Sequence, residues 1–301
     1  MFLSNERLDQ AIDQIRDSSN EIAFQRRLIL SPNALVGIAE GDSWFDYLPA
    51  WAEDPVKGDL INQLNRFKEE NKRKFNILRI AEAGDTLENM VLGNDLDKRG
   101  RPRRNQFIRT LELVRQYEPD FILFSGGGND VVGEGLDAFI NHAEFENGLH
   151  GGSGNRLEIL REEYVDYMLN QVFKNIFEYL IGELTGAKSD IQILLHGYGN
   201  AIPDGKPVIG TPAFDFIGPW MEPTFARKRI DFSKGQDIII ELIKQFNEML
   251  KGVASNYPNV HYLDLRHIIQ AGDWANELHL TVKGYEKVAQ QYIEKLQQLF
   301  T

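Results

Sequence analysis

Five short runs of almost wholly apolar residues recur along the chain, separated by longer stretches of helical character. They lie at Leu35–Glu40, Phe75–Ala81, Asp120–Ser125, Ile191–Gly197 and Val260–Leu265. A strand with one wet face alternates apolar and polar residues, whereas these runs hardly alternate, which predicts strands covered on both faces. Between them, Asp59–Lys74 is amphipathic and charged, and Asn105–Tyr117 repeats apolar residues at Phe107, Ile108, Leu111 and Val114. Leu157–Leu184 and Lys234–Ala254 also read as helix. The last stretch, Val282–Phe300, carries a stripe of Val282, Tyr285, Val288, Ala289, Tyr292, Ile293, Leu296 and Leu299. Strand and helix alternating in this way predict a three-layer α/β/α fold, a five-stranded parallel sheet joined by right-handed crossovers. No internal repeat or long linker interrupts the 301 residues, so a single domain is expected, with 1–34 as an N-terminal helical extension.

Two connections exceed what such a fold needs. Residues 133–156 are glycine-rich, and 200–229 combine NAIPDGKPVIGTP with several aromatics. Each follows a strand, so each should emerge at the carboxyl edge of the sheet, where open α/β folds bind ligands, and should wall a pocket there.

Composition narrows the function classes. A net charge of -12 argues against general nucleic-acid binding and against adhesion to anionic membranes. The basic string Asp97–Asn105 reads as a solvated loop on an acidic protein. The absence of cysteine removes disulfides, thiol catalysis and cysteine-bound metals. The N-terminus has no secretory-signal pattern, and no apolar run nears the ~20 residues that span a bilayer, so a cytoplasmic protein is expected.

Chemistry-bearing residues cluster where the runs end. The first leads into Gly41-Asp42-Ser43-Trp44, which would present the Ser43 hydroxyl at the sheet edge. The second leads into Ala83-Gly84-Asp85-Thr86, and the third into Ser125-Gly126-Gly127-Gly128-Asn129-Asp130. Three successive glycines let the backbone approach another group closely, and Asn129 adds a neutral amide donor. A dinucleotide loop is excluded there, because Val131 stands where G-x-G-x-x-G needs its third glycine. Among the histidines, His279 lies just before the last helix, where the chain returns to the carboxyl edge; His196 ends the fourth run and is a candidate for lining the site.

In order, these segments resemble the SGNH (GDSL-like) hydrolase family, named for Ser, Gly, Asn and His in four blocks. The blocks fall here at Ser43 in GDSW, Gly84 in AEAGDT, Asn129 in GGGND and His279 in NELHLTVKG. The resemblance implies a flavodoxin-like sheet, hydrolysis of small-molecule esters and no cofactor or metal. It implies Ser43 as nucleophile and His279 as general base. The Ser43 and Gly84 backbone N–H groups and the Asn129 amide would form an oxyanion hole. Trp44 and Tyr198 are expected in the substrate pocket.

Three positions depart from the family pattern. Trp44 replaces Leu in the first block, which changes the pocket wall. Leu280 replaces Pro after the histidine, which predicts a less rigid loop. Asn276 replaces the usual Asp three residues before His279. An amide oxygen accepts the imidazole N–H but supplies no charge, so Asn276 as the orienting residue competes with Asp273 or Glu277. A non-catalytic ligand-binding module on the same scaffold is the alternative reading.

Overall fold

All five apolar runs become strands, and every pairing between them is parallel. In the computed structural model the described residues are 18–47, 53–54, 57–94, 96, 99–101, 105–133, 135–147, 158–211 and 214–300. The strands are β1 (Leu35–Gly41), β2 (Phe75–Arg79), β3 (Phe121–Ser125), β4 (Gln192–His196) and β5 (Val260–Leu263). They form one sheet in the order β2-β1-β3-β4-β5. β2 and β3 are buried at every position, as unbroken apolar runs demand, whereas the edge strand β5 is fully buried only at Val260.

The strand order fixes the layers. The chain steps one way from β1 to β2, then back past β1 to β3. Right-handed crossovers taken in opposite directions place their helices on opposite faces. The principal helices are α1 (Glu21–Leu30), α2 (Leu60–Arg66), α3 (Leu87–Leu92), α4 (Gln106–Tyr117), α5 (Gly128–Val132), α6 (Lys174–Ala187), α7 (Met221–Arg227), α8 (Phe232–Ser255) and α9 (Val282–Leu299). α4 packs against β1 and α6, and α9 against α2. The fold is the expected three-layer α/β/α arrangement, and its 2-1-3-4-5 order is flavodoxin-like. Among the described residues, no helix is long and apolar enough to cross a membrane.

Helix starts follow local chemistry. Asn105, Asp231 and Thr281 precede α4, α8 and α9, and each side-chain oxygen accepts a backbone N–H of the first turn. Two expected helices are shorter than their periodicity suggested. Asp59–Lys74 stops at Arg66, because Lys68–Glu69 and Lys72–Arg73 pair as an antiparallel hairpin around Glu70 and Asn71. Both turn residues have positive φ, as a two-residue hairpin turn requires, and the reversal delivers the chain into β2. In Leu157–Leu184, α-helix begins only at Glu162, passes through a π-helical stretch at Met168–Phe173 and ends at Ala187.

The outer edge of β2 is sealed by a side chain. Buried Asn65, at the end of α2, donates its Nδ2–H to the Ile77 carbonyl at 2.9 Å and accepts the Ile77 N–H on Oδ1 at 2.7 Å. The amide thus takes the place of a sixth strand. Asn65→Leu would leave both groups of Ile77 buried and unpaired, and the expected loss is about 2–3 kcal/mol of unfolding free energy. Urea denaturation of the variant checks this; an unchanged midpoint would show that water replaces the amide.

Candidate active site

The site forms where the strand order reverses, between the carboxyl ends of β1 and β3. Gly41 permits this closeness: a Cβ there would sit 2.5 Å from the Ser125 carbonyl oxygen. The next residue, Asp42, is buried and accepts from three groups. Its Oδ1 takes the Trp44 N–H at 3.0 Å and the Ser125 Oγ–H at 2.7 Å, and its Oδ2 takes the Tyr198 hydroxyl at 2.8 Å. Tyr198 in turn accepts the Gly128 N–H at 3.2 Å. One carboxylate therefore ties together the loops after β1, β3 and β4. Ser43 is held at the top of this knot.

His279 reaches Ser43 from the other end of the chain. Its Nε2 lies 2.7 Å from Ser43 Oγ, and its Nδ1 lies 3.0 Å from Asn276 Oδ1. Asn276 Oδ1 also accepts the backbone N–H groups of Leu278 and His279, both at 3.0 Å. An atom facing backbone N–H donors must be the amide oxygen, so Nδ1 carries the imidazole hydrogen. The lone pair of Nε2 then faces the serine hydroxyl. The Tyr47 ring stacks on the imidazole with centroids 4.2 Å apart and planes inclined by 8°, and its hydroxyl accepts the Asn276 Nδ2–H at 2.8 Å. Burial pushes the His279 pKa down from 6.5 to about 3, with no carboxylate among the described residues hydrogen-bonded to the ring to oppose it.

The other two orienting candidates point elsewhere. Asp273 Oδ2 accepts from Lys287 Nζ at 2.7 Å and from the Gln270 N–H at 2.8 Å. Glu277 is fully buried and accepts the backbone N–H groups of Gly205, Trp220, Met221 and Glu222 at 2.7–3.2 Å. It caps α7 and fastens 200–229 to the histidine loop. Burial raises its pKa, opposed by those four hydrogen bonds. The loop itself is not loose, contrary to the expectation from Leu280. Trp274 and Leu280 form an antiparallel bridge, and the Ala275 N–H donates to the His279 carbonyl at 2.9 Å. Backbone pairing supplies the rigidity that a proline would have given.

The glycine run after β3 serves close packing. Gly127 has φ 92° with the Phe246 ring 2.7 Å from where its Cβ would stand, and Gly128 would meet the Tyr198 ring at 2.7 Å. Asn129 sits in the first turn of α5 and donates through Nδ2 to the Asp85 carbonyl at 2.8 Å, which leaves its second N–H. Asp130 accepts the Leu87 N–H at 2.9 Å, and burial lifts its pKa from 3.8 to about 6. These two bonds stitch the Gly84 loop to the Asn129 loop. The Ser43 and Gly84 backbone N–H groups have no hydrogen-bond partner among the described residues.

A small cavity opens beside Ser43, and Trp44, Asn129, Tyr198 and Ala201 are among the residues that line it. Gly84 lines a neighbouring depression with Glu82 and Asp85. Of the two long connections, 200–229 reaches the site through Ala201 and through Trp220, whose ring centroid is 6.4 Å from that of His279. The described part of 133–156 contributes nothing to the cavity lining, although Val132 just before it does; residues 134 and 148–156 lie outside the described residues, as does much of Asp97–Asn105. His196 does not line the cavity; it is buried beside Trp44, with ring centroids 5.2 Å apart. The pairings of Tyr47 with Asn276 and of Ser125 with Asp42 carry no signal in the sequence, since no spacing links either residue to its partner.

The 2-1-3-4-5 sheet with a serine and a histidine joined at its carboxyl edge defines the class, a three-layer α/β/α hydrolase. The chain belongs to the GDSL-like lipase/acylhydrolase family, whose model matches residues 39–287, and it is a hydrolase acting on ester bonds. Among solved structures, the lipase Lip_vut3 from a goat rumen metagenome shares the fold with a TM-score of 0.53 at 15% identity, covering 87% of this chain and 97% of its own. The extracellular lipase of Streptomyces rimosus does so with a TM-score of 0.51 at 14% identity, covering 87% and 99%. No curated protein matches the chain significantly in sequence.

A neutral amide beside a buried imidazole has a titration signature. A base with a depressed pKa stays deprotonated as the pH falls, so the acid limb of kcat/KM is expected well below the ~6.5 of an ordinary histidine. Asn276→Asp adds a negative charge at the Nδ1 side and should move that limb upward, while Asp273→Asn should leave it in place. Profiles of the three proteins on one soluble ester decide the matter. A downward shift in the Asp273 variant, with none in the Asn276 variant, would move the orienting role to Asp273.

Proposed function

We propose that the protein is a serine esterase working through an acyl-enzyme on Ser43, with His279 as general base and Asn276 as its orienting partner. The 2.7 Å contact between Ser43 Oγ and the lone-pair nitrogen of His279 carries this reading. A serine hydroxyl attacks an ester only when a neighbouring base takes its proton. In the first half-reaction the bond from Oγ to the carbonyl carbon forms, and the hydroxyl proton passes to Nε2. The bond to the alcohol oxygen then breaks as that oxygen takes the proton from Nε2. In the second half, water attacks the acyl-serine, its proton passes through Nε2 to Oγ, and the carboxylic acid leaves.

Charge develops on the carbonyl oxygen in both halves. The Ser43 and Gly84 N–H groups, without other partners among the described residues, and the remaining N–H of Asn129 are the donors we assign to it. Donors fixed in advance need no reorganisation during reaction, and each is worth about 2.7–4 kcal/mol in the transition state. The imidazolium formed midway has no carboxylate hydrogen-bonded to it among the described residues. The electron-rich face of Tyr47 supports that charge instead, by ~0.5–2 kcal/mol, and the Tyr47 hydroxyl keeps the Asn276 amide from turning.

A fluorophosphonate probe should label Ser43 covalently, and Ser43→Ala should abolish labelling. His279→Ala should slow ester turnover by at least about 100-fold, the usual contribution of a general base. Asn129→Ala should lower kcat by roughly 100- to 1000-fold. Peptide mapping of the labelled site and steady-state kinetics on an activated ester check these outcomes. A folded protein that neither labels nor turns over any ester, yet binds one, would instead be a ligand-binding module.

A further inference from the structure

His279 is only 4% exposed. Two aromatic rings cover it. Tyr47 stacks on the imidazole at 4.2 Å, and the Trp220 ring meets it at 63° with centroids 6.4 Å apart. Tyr47 belongs to the nucleophile loop and is itself buried. Trp220 belongs to 200–229, outside the four motif blocks, and is half-buried, so it is the ring that stands between the imidazole and solvent.

One carboxylate holds Trp220 in place. Glu277 lies two residues before His279 and is fully buried. Its Oε2 accepts the N–H groups of Trp220 and Met221 at 2.7 and 2.8 Å. Its Oε1 accepts those of Glu222 and Gly205 at 2.9 and 3.2 Å. Four donors fill the accepting capacity of the two oxygens, and bonds to an ionised acceptor are about twice as strong as neutral ones. The start of the segment is tied separately, by the Gln236 Nε2–H on the Ala201 carbonyl at 2.9 Å. The bonds that fix Trp220 itself therefore converge on the same short loop that carries the base.

We propose that Glu277 is a positioning residue for the base: by latching 200–229 it holds Trp220 over His279 and keeps water off the imidazole. The inference rests on the esterase reading above, in which His279 is the base, and adds what governs that base. Charge does not do this instead. The groups that meet the ring are Ser43, Asn276, Tyr47 and Trp220. Of these Tyr47 alone titrates, and burial pushes its hydroxyl up to about 12. The carboxylates nearby in the chain are engaged elsewhere, Asp42 by Trp44, Ser125 and Tyr198, and Asp273 by Lys287 and the Gln270 N–H. An imidazole kept neutral by dryness takes up a proton nearer its ordinary range once water reaches it.

The test follows the His279 imidazole by NMR in the full-length protein from about pH 5.5 to 8, beside kcat/KM on one soluble ester. Glu277→Gln keeps the size but turns an amide NH2 toward two of the N–H donors, so it undoes the latch. Trp220→Ala removes the cover and leaves its backbone N–H on the latch. In the wild type the ring should stay neutral across this window and kcat/KM should not fall on its acid side. In both variants the ring should titrate toward about 6.5, and kcat/KM at about pH 6 should drop roughly 2- to 4-fold below its value at about pH 8. Loss of packing alone would lower activity evenly at every pH and leave the ring neutral. That result in Trp220→Ala, or in a folded Glu277→Gln, would overturn the proposal while Ser43 still labels with fluorophosphonate. If Glu277→Gln does not fold, Glu277→Asp, which keeps the charge but loses the reach, takes its place and should shift the ring in the same direction. A wild type that neither labels nor turns over any ester would overturn the esterase reading, whatever the ring does.

Discussion

The buried Asp42 carboxylate is the constraint on which the rest of the site depends. A carboxylate removed from water needs several donors to offset its lost hydration. Asp42 finds them in three separate segments: the Trp44 N–H, the Ser125 hydroxyl and the Tyr198 hydroxyl. Satisfying that one group therefore aligns the carboxyl ends of β1, β3 and β4. Ser43 inherits its position as the next residue, and Trp44 and Tyr198 become fixed walls of the adjoining cavity.

A second buried carboxylate organises the opposite side. Glu277 meets the N-terminus of α7, where unpaired N–H groups and the helix dipole favour negative charge. That bond set clamps 200–229 against the histidine loop and brings Trp220 near the imidazole. Glu277 is thus a structural carboxylate. The neutral Asn276 is left as the hydrogen-bond partner of His279 Nδ1, held between its own loop's backbone and the Tyr47 hydroxyl. Two carboxylates support the geometry and, among the described residues, none hydrogen-bonds to the imidazole, which burial holds neutral.

Much of the fold was legible because apolar patterning reports burial directly. Unbroken runs at Phe75–Ala81 and Asp120–Ser125 could only be strands covered on both faces, and β2 and β3 are buried throughout. Periodicity failed where a local turn competed with it. The helix expected over Asp59–Lys74 ends at Arg66 because Glu70 and Asn71 adopt a left-handed hairpin turn. The loop after His279 was misjudged for a related reason: the bridge of Trp274 with Leu280 is a pairing across residues, invisible to residue type.

By itself, the sequence determined the layered architecture and the order in which Ser43, Gly84, Asn129 and His279 follow their strands. Both are properties of local pattern, and local pattern is written in the chain. Only the tertiary structure decided which of Asn276, Asp273 and Glu277 meets the imidazole, and that Tyr47 stacks on it. Those outcomes depend on where side chains from segments as far as 236 residues apart converge. Three neighbouring residues with similar hydrogen-bonding ability are distinguished only by the donors that packing brings to each.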